Sequence, residues 1–399
     1  MKRIYLDHSA TTPVDPKVLR AMKPYFTADF GNASSLHSFG QKARAGVEKA
    51  REQVAKFLEC ESKEVIFTSG ATESNNLALF GLVRRARALD LKRKVHVITS
   101  AIEHPAVLEV CRELKKEEVE VTYLPVSRAG LVRLEDVKKA IRPETILISI
   151  MYVNNEVGTI QPIQEISQII KEVNAGRGKE DKIYFHTDAV QAANFCDCRV
   201  DWLGVDMLSL SAHKIYGPKG TGVLFIKSGT PLLPIIFGGH QERGIRSGTE
   251  NVAGIVGMGR AVEMLTDKNE IKKINANIKK LRDKLVGEIL KKIPSAILNG
   301  DLKQRVPGNA NFCFKNVEGE SILLMLDMEG IAVSTGSACS SGSLEPSHVL
   351  TAMGVSPEVT HGSVRVTFGK DNSREDVERL LKVLPGIVAR LRKMSPIKK

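Results

Sequence analysis

Between residues 16 and 261, short apolar stretches alternate with stretches in which apolar positions recur at helical spacing. Most of the apolar stretches are rich in Val and Ile. Many are apolar at successive positions, as strands must be when helices cover both faces of their sheet. The predicted strands comprise residues 65–68, 95–100, 119–124, 146–153, 183–187, 207–211 and 222–226. This alternation predicts a doubly wound α/β domain with helices on both faces of the sheet.

The chain has 399 residues, more than a single hydrophobic core usually supports, so two domains are expected. We assign residues 16–261 to a larger domain. Residues 1–15 and 262–399 are assigned to a smaller domain, which is built from a second set of strands and helices. The short apolar stretch at residues 4–7 could form a strand in either domain.

The net charge is +12, and the excess of Lys and Arg is concentrated in three stretches. In the stretch at residues 272–292, lysines alternate with Ile274, Ile278, Leu281 and Leu285, which predicts a helix with a solvated basic face. No aromatic residues interleave these charges and no nucleic-acid-binding motif is present, so we expect no nucleic-acid partner. The basic faces could still attract an acidic partner or an anionic cofactor.

The remaining composition favours a soluble, cytoplasmic protein with no membrane partner. No apolar targeting segment follows Met1, and the longest apolar run, around residues 146–153, is too short to cross a bilayer. The six cysteines are scattered and do not resemble a disulfide framework. Cys196 and Cys198 form a close pair, but they lack zinc-finger spacing and a matching second pair.

Lys214 lies in a turn between two predicted strands. It follows Ser211 and His213, and Gly217 and Pro218 close the turn. A lysine at the end of a buried strand can lose its solvation, so that its amine is partly neutral and nucleophilic. Such an amine could condense with an aldehyde cofactor. A surface lysine in a polar turn is the alternative, and this motif alone does not decide between them.

Polar residues also follow other predicted strands, at the edge where such sheets bind ligands. After the strand at residues 65–68, a turn of small residues leads into a helix, whose free amides and the Thr72 hydroxyl could bind a phosphate or only cap the helix. His104 precedes Pro105 and could stack on a flat cofactor or be an ordinary polar residue. Asp188 could pair with a protonated pyridine nitrogen or cap a helix.

Two further segments suggest a polar cleft. Asn154 and Asn155 follow a buried strand and can donate and accept hydrogen bonds. Residues 238–249 form a glycine-rich loop with two arginines, which suggests backbone freedom beside an anion. Arg365 taken alone would be interpreted as part of a surface ion pair.

Taken together, these motifs resemble the fold-type-I enzymes that use pyridoxal phosphate, a group that includes the class-V aminotransferase family. More narrowly, they resemble the cysteine desulfurases of nitrogen fixation and iron–sulfur cluster assembly. The resemblance covers essentially the full chain. The motifs are residues 5–13 (YLDHSATTP), residues 31–37 (GNASSLH), Asp188 with Gln191, residues 211–214 (SAHK), residues 247–249 (SGT) and residues 334–346 (STGSACSSGSLEP). The fold implied is a mostly parallel seven-stranded α/β sheet with helices on both faces and a smaller α+β domain.

The resemblance implies a role for each candidate residue. Lys214 would bind the cofactor covalently and take part in catalysis. His104 would stack on the cofactor ring and also take part in catalysis. The other residues implied to hold pyridoxal phosphate are Ala71, Thr72, Asn155, Asp188, Gln191, Ser211, His213 and, across the interface of a homodimer, Thr249. Those implied to hold the substrate are Asn32, Asn155 and Arg365, since an arginine fork suits a carboxylate.

The reaction implied is the conversion of L-cysteine to L-alanine, with the sulfur taken as a persulfide by Cys339. Small residues surround Cys339 between residues 334 and 346, which predicts a mobile loop able to carry sulfur outward. An ordinary cysteine in a Gly/Ser turn is the alternative by composition, and a transient iron–sulfur ligand is also open. The sulfur acceptor would be a protein such as an iron–sulfur scaffold. The short tail after residue 396 leaves its identity open.

Three other functions stay open from the sequence alone. Two are enzymatic: a selenocysteine lyase and an aminotransferase-like relative. The third is an interaction platform for sulfur carriage or cluster assembly with vestigial catalysis. The intact Lys214 argues against the third.

Overall fold

The computed structural model describes residues 3–89, 93–335 and 346–394. Its strands are β1 (Ile4–Tyr5), β2 (Val65–Thr68), β3 (His96–Ser100), β4 (Glu120–Leu124), β5 (Thr145–Ser149), β6 (Tyr184–Asp188), β7 (Met207–Ser211), β8 (Gly222–Ile226), β9 (Ala296–Asn299), β10 (Asn309–Phe314), β11 (Ile331–Ala332) and β12 (Ser363–Thr367). Its helices are α1 (Pro16–Met22), α2 (Pro24–Thr27), α3 (Ser38–Leu58), α4 (Ala71–Leu89), α5 (Pro105–Lys116), α6 (Leu134–Ala140), α7 (Ile163–Asn174), α8 (Val200–Leu203), α9 (Val252–Leu265), α10 (Lys268–Lys292), α11 (Gly319–Met328), α12 (His348–Ala352), α13 (Pro357–Thr360) and α14 (Arg374–Met394).

Seven strands form one sheet in the order β2-β8-β7-β6-β5-β3-β4. The five strands β7, β6, β5, β3 and β4 each run parallel to their neighbours in this order. β8 is antiparallel to both β7 and β2. The predicted mostly parallel, seven-stranded sheet is therefore confirmed. The reversed direction of β8 follows from its connection, because residues 212–221 are fewer than the roughly dozen that a parallel crossover needs.

The predicted strand at residues 146–153 is too long at its carboxyl end, because β5 ends at Ser149. The residue after Ser149 still lies beside β6, because the Ile150 amide donates a 3.1 Å hydrogen bond to the His186 carbonyl. The Met151 amide, however, donates to the carboxyl oxygens of Glu103 at 3.0 and 3.1 Å instead of to a strand. The apolar run thus continues as a buried loop. The bounds of the other six predicted strands are matched or differ by one residue.

Helices cover both faces of the sheet, as predicted. In β2, Val65 and Phe67 belong to a core that includes residues of α3, α7 and α9. Ile66, which points the opposite way, belongs to a core formed with α4 and α5. Alternate residues of one strand are therefore buried in different layers, which explains why the strand is apolar at successive positions.

A separate core is formed by residues near the two ends of the chain. The antiparallel sheet β12-β10-β9 packs there with α10, α11 and α14. β1 pairs in parallel with β11, and Ile4 and Leu6 are buried in the same core. The strand at residues 4–7, which the sequence left unassigned, therefore packs with the C-terminal part. The predicted boundary at residue 261 lies within α9, and the division into domains stays a prediction.

The predicted basic helix is confirmed as α10. Ile278, Leu281 and Leu285 are buried in the C-terminal core, and Ile274 packs against that core. Within the parts of the chain that the structure describes, no helix combines the length and the apolar character needed to cross a bilayer.

A buried ion pair holds the loop that follows β8. The guanidinium of Arg51 and the carboxylate of Glu242 form two 2.8 Å hydrogen bonds, and both side chains are almost fully buried. The same carboxylate accepts a 3.0 Å bond from the amide of Phe67 in β2. Glu242 and Arg243 have φ values of 45° and 57°, a backbone conformation that costs free energy in residues other than glycine. The ion pair therefore stabilises a strained loop.

Replacing Glu242 with Ala is expected to lower the free energy of unfolding by about 3–5 kcal/mol, because Arg51 loses its buried partner and keeps only the half-exposed Glu48. Urea denaturation would measure the change. The matched control is Glu263→Ala, which removes the partner of the half-exposed Arg260 and is expected to cost about 1 kcal/mol or less. Equal losses in the two variants would contradict a special contribution from the buried pair.

Candidate active site

A cavity of about 540 Å³ lies at the carboxyl ends of the parallel strands, between the sheet and the segment that follows β1. Its volume falls in the range of about 300–1,000 Å³ typical of small-molecule sites. Ten predicted site residues line it: Ala71, Thr72, His104, Asn155, Asp188, Gln191, Ser211, His213, Lys214 and Arg365. The structure thus brings together residues that are far apart in the sequence.

Lys214 lies at the end of a single 3₁₀ turn, Ala212–Lys214, which follows β7 directly. Its Nζ atom donates to the carbonyl oxygens of Ser9 and Ala10, at 2.5 and 2.7 Å. The side-chain amide nitrogen (Nε2) of Gln191 also donates to the Ser9 carbonyl, at 2.9 Å. The side chain of Asn194 fixes the backbone by a 2.7 Å bond to the Lys214 carbonyl. Two backbone oxygens therefore help to hold the amine in the cavity.

Asp188 is the last residue of β6, and 7% of its surface is exposed. One carboxylate oxygen accepts a 2.8 Å hydrogen bond from Asn75, and the other accepts a 3.0 Å bond from the amide of Val190. Asn75 lies in α4 and is completely buried. Donors on two sides fix the orientation of a carboxylate that lines the cavity.

Two imidazole rings line the cavity. His104 caps α5, with its Nδ1 accepting a 3.1 Å bond from the Ala106 amide, and burial lowers its pKa despite the opposing charge of Asp188. His213 has its Nδ1 3.1 Å from the hydroxyl of Thr11. Burial, followed by the nearby Lys214, lowers the pKa of His213 to about 4. Both rings are therefore expected to be neutral at pH 7.

The amino end of α4 forms another wall of the cavity. The helix begins at Ala71, so its first-turn amides have no partners within the helix. Glu73 lies beside them and accepts hydrogen bonds from the Ser69 amide at 2.9 Å and from Arg246 at 2.8 Å. Burial raises the pKa of Glu73, but these bonds outweigh it and hold the pKa below its usual value. The charge of Arg246 thus balances a carboxylate that would otherwise repel an anion here.

Arg365 is the buried cation on the side of the cavity formed by β12. It donates to the Asn155 carbonyl at 3.0 Å and to the Asp7 carboxylate at 2.9 Å. Its buried Nε has no hydrogen-bond partner in the described parts of the chain. Arg365 itself lines the cavity, and a planar guanidinium suits a ligand carboxylate.

Comparisons with known proteins agree with this geometry. The family described as aminotransferase class-V matches residues 4–380. The chain belongs to the class-V aminotransferase family. A cysteine desulfurase from Dictyoglomus turgidum is 54% identical over 100% of this chain and 98% of its own length. Among solved structures, a NifS-like protein has a TM-score of 0.89 and 39% identity, covering 98% of this chain and 100% of that one. SspA in complex with cysteine has a TM-score of 0.79 and 37% identity, covering 92% and 99%.

The class-V aminotransferase family uses pyridoxal phosphate, and the cavity fits this cofactor. Lys214 presents an amine for the aldehyde, and Asp188 presents a buried carboxylate that suits a protonated ring nitrogen. The amides at the start of α4 and the neutral His213 suit a phosphate group. The donor set therefore matches the three chemically different parts of the molecule.

Among the described residues, two predicted ones are not brought to this cavity. Asn32 and Thr249 are exposed and do not line it, and the Asn32 side chain accepts a 2.9 Å bond from the Ser34 amide. Cys339 lies outside the described residues. The roles assigned to these residues stay predictions. Within the described ranges, no group of three or more His, Cys, Asp or Glu side chains has a metal-binding arrangement.

The sequence interpretation missed Asn75 and the carbonyls of Ser9 and Ala10. Asn75 is a fully buried amide just before the apolar residues Leu77 and Ala78 of α4, and such a polar residue on a buried helix face usually has a specific partner. That signal was available. The contribution of the carbonyls was not, because it depends on where the segment after β1 lies.

Proposed function

We propose that this protein is a cysteine desulfurase that converts L-cysteine to L-alanine and transfers the sulfur, as a persulfide, to acceptor proteins for iron–sulfur cluster assembly or another thiolation pathway. The observation that carries the proposal is the single cavity that joins the amine of Lys214, the carboxylate of Asp188 and the guanidinium of Arg365. It is supported by the full-length similarity to cysteine desulfurases.

The residues of the cavity have distinct proposed roles. Pyridoxal phosphate, when bound, supplies an aldehyde and an electron-withdrawing ring. Lys214 would hold it through its amine, and the same amine would take a proton from Cα of the substrate. Asp188 keeps the ring nitrogen protonated, and the neutral ring of His104 stacks on the cofactor and can pass protons. Ala71, Thr72, Ser211 and His213 hold the phosphate, and Gln191 faces the phenolic oxygen.

Substrate binding is assigned to Arg365 and Asn155, with Asn32 as a further contact. The guanidinium of Arg365 already has one hydrogen bond to the backbone of Asn155, which fixes its direction. Because Arg365 lines the cavity, its guanidinium can donate hydrogen bonds to the carboxylate of a bound amino acid. Arg365 and Lys214 line the same cavity, so both can act on one bound amino acid.

Cys339 is the proposed sulfur acceptor, on the basis of the sequence. The Cβ–S bond of the substrate breaks, and a bond forms between that sulfur and Sγ of Cys339. The two electrons lost by the two sulfur atoms are gained by Cβ, and the proton of the Cys339 thiol is balanced by the proton added to form the methyl group of alanine. No external oxidant or reductant is needed for this step. A later thiol or acceptor protein removes the persulfide sulfur.

A homodimer with Thr249 supplied across the interface is part of the proposal. Residues 33–34 and 240–243 line one surface depression, and Thr249 follows the second segment closely in the sequence. Large apolar side chains flank both segments and are strongly exposed in a single chain: Phe30, Leu36 and Phe237 are 65, 91 and 77% exposed. Such side chains favour burial against a second copy.

The test is an absorption spectrum of the purified protein before and after addition of L-cysteine, with L-alanine measured. We expect a visible band from the bound cofactor, a change of that band with L-cysteine, and one alanine per sulfur released. Selenocysteine and keto-acid acceptors would be compared in parallel. A colourless protein, or a keto acid instead of alanine as the product, would overturn the proposal.

Replacing Arg365 with Ala is expected to raise KM for L-cysteine about 100-fold, because a buried, charge-assisted contact worth about 3 kcal/mol is lost. Arg365→Lys should recover only part of this, since an ammonium lacks the planar fork. Steady-state alanine formation would measure both. Arg374→Ala is the control, because that side chain is exposed on the surface. An unchanged KM in Arg365→Ala would exclude Arg365 as the carboxylate-binding residue.

A further inference from the structure

The short helix α12 lies between two loops of the candidate active site. Val349 and Leu350 of this helix are completely buried and belong to a small core with Ile102, Met151 and Val157. Ile102 comes two residues before His104, and Met151 and Val157 flank the turn that contains Asn155. The apolar face of α12 therefore packs against both loops at once.

Polar contacts at the start of α12 connect the same two loops. Nε2 of His348 donates to the carbonyl oxygen of Glu103 at 2.9 Å. The hydroxyl of Ser347 is 2.5 Å from a carboxylate oxygen of Glu156 and also accepts the Leu350 amide, which caps the helix. Glu103 directly precedes His104, and Glu156 directly follows Asn155. Each contact thus reaches the neighbour of a candidate site residue.

Both backbone groups of Glu156, the amide and the carbonyl, form hydrogen bonds. Its amide donates to Asn154 at 2.9 Å, and its carbonyl accepts from Asn309 and Asn311, each at 3.2 Å. Only 3% of the residue and 3% of Ser347 are exposed, so the carboxyl group cannot rely on water for hydrogen bonds. Burial raises the pKa of Glu156 to about 7, while Ser347 and the charge of Arg365 oppose the rise.

We propose that Ser347 and Glu156 form a positioning pair that fixes Asn155 and Arg365 where the carboxylate of an amino-acid substrate binds. Ser347 holds the carboxyl of Glu156, Glu156 fixes the turn, and the Asn155 carbonyl in that turn orients the guanidinium of Arg365 at 3.0 Å. The inference rests on the proposed function, because it concerns the substrate site of that reaction. It adds two residues that do not line the cavity themselves.

The test is a titration of the protein loaded with pyridoxal phosphate, using L-alanine, the proposed product, and following the absorption of the cofactor. Ser347→Ala is expected to weaken L-alanine binding about tenfold, because the turn loses a buried, charge-assisted hydrogen bond. Affinity for pyridoxal phosphate should change less than about twofold, since Lys214, Asp188 and the start of α4 lie on other segments. Ser347→Thr, which keeps the hydroxyl, should restore L-alanine binding.

Two controls separate positioning from general destabilisation. Ser373→Ala also removes a serine that caps a helix, at the start of α14, but Ser373 is not among the residues lining the cavity. It should leave L-alanine affinity unchanged. In the double variant Ser347→Ala/Glu156→Met, both polar partners are gone, so its affinity should lie within about twofold of that of Ser347→Ala.

Several results would overturn the inference. One is an unchanged L-alanine affinity in Ser347→Ala, and another is an equal loss of affinity in Ser373→Ala. A third is a double variant in which Glu156→Met lowers the affinity well beyond that of Ser347→Ala. A wild-type protein whose cofactor absorption does not respond to L-alanine would instead overturn the proposed function, and this inference with it. The wild-type titration therefore distinguishes the two failures.

Discussion

Replacing Lys214 with Ala is expected to abolish the visible absorption of bound pyridoxal phosphate and to reduce alanine formation by about 10⁴-fold. The visible band depends on a covalent link to the lysine amine, and the same amine is the proposed base at Cα. No other lysine is expected to replace it, because the Ser9 and Ala10 carbonyls that hold its Nζ are specific to this position. Absorption spectroscopy and an alanine assay would measure the two losses.

Lys227→Ala is the matched control for Lys214. Lys227 is an exposed lysine just after β8, with a 3.6 Å ion pair to Asp201, and its removal should change neither colour nor rate. Reduction of the wild-type protein with borohydride provides an independent test. Mass spectrometry should then find a pyridoxyl group on the peptide that contains Lys214. Retained colour in Lys214→Ala would contradict both the role of this lysine and the proposed function.

Replacing Cys339 with Ser is expected to keep the visible absorption and to reduce sulfur release from L-cysteine by at least about 10³-fold. Colour should persist because Cys339 has no proposed role in holding the cofactor. Sulfur release should fail because a serine hydroxyl is not deprotonated at neutral pH and cannot replace a thiolate attacking sulfur. Sulfide released in the presence of a reducing thiol would be measured beside the spectrum.

Cys60→Ser is the control for this prediction. Cys60 is half-buried after α3, and burial, with smaller contributions from nearby acidic residues, raises the pKa of its thiol to about 12. Such a thiol is almost never ionised at neutral pH, so its replacement should leave sulfur release intact. If Cys339→Ser released sulfur at the wild-type rate, the proposed thiol relay would be wrong, whereas the role of Lys214 would be unaffected.

Most of the large sheet could be predicted from the sequence because its signal is local. A strand covered on both faces must be apolar at successive positions, and the polar residue that ends it falls at the edge where ligands bind. Asp188 and Ser211 were found in this way, at the ends of β6 and β7. The resemblance then gave these positions their chemical roles.

The remaining parts of the site depend on contacts between distant segments. A polar residue such as Asn75 or Glu103 can be noticed in the sequence, but its partner cannot be identified there, because Asp188 and the Met151 amide are 113 and 48 residues away. The extended prediction for β5 failed for the same reason, since a side chain rather than a strand bonds to Met151. Asn32 and Thr249 illustrate the opposite case. Their motifs predict roles at the site, but neither residue lines the cavity of a single chain.

The pairing of β1 with β11 has a consequence for biosynthesis. Ser9 and Ala10, which hold the amine of Lys214, come shortly after β1, a strand whose hydrogen-bond partner is Ile331–Ala332. During translation the segment that contains Ser9 and Ala10 must therefore wait until Ile331–Ala332 has been made before it takes its final place. The complete cavity can form only after that strand has been synthesised. A chain that lacks β1 or β11 should accordingly retain the large sheet but not acquire the cofactor.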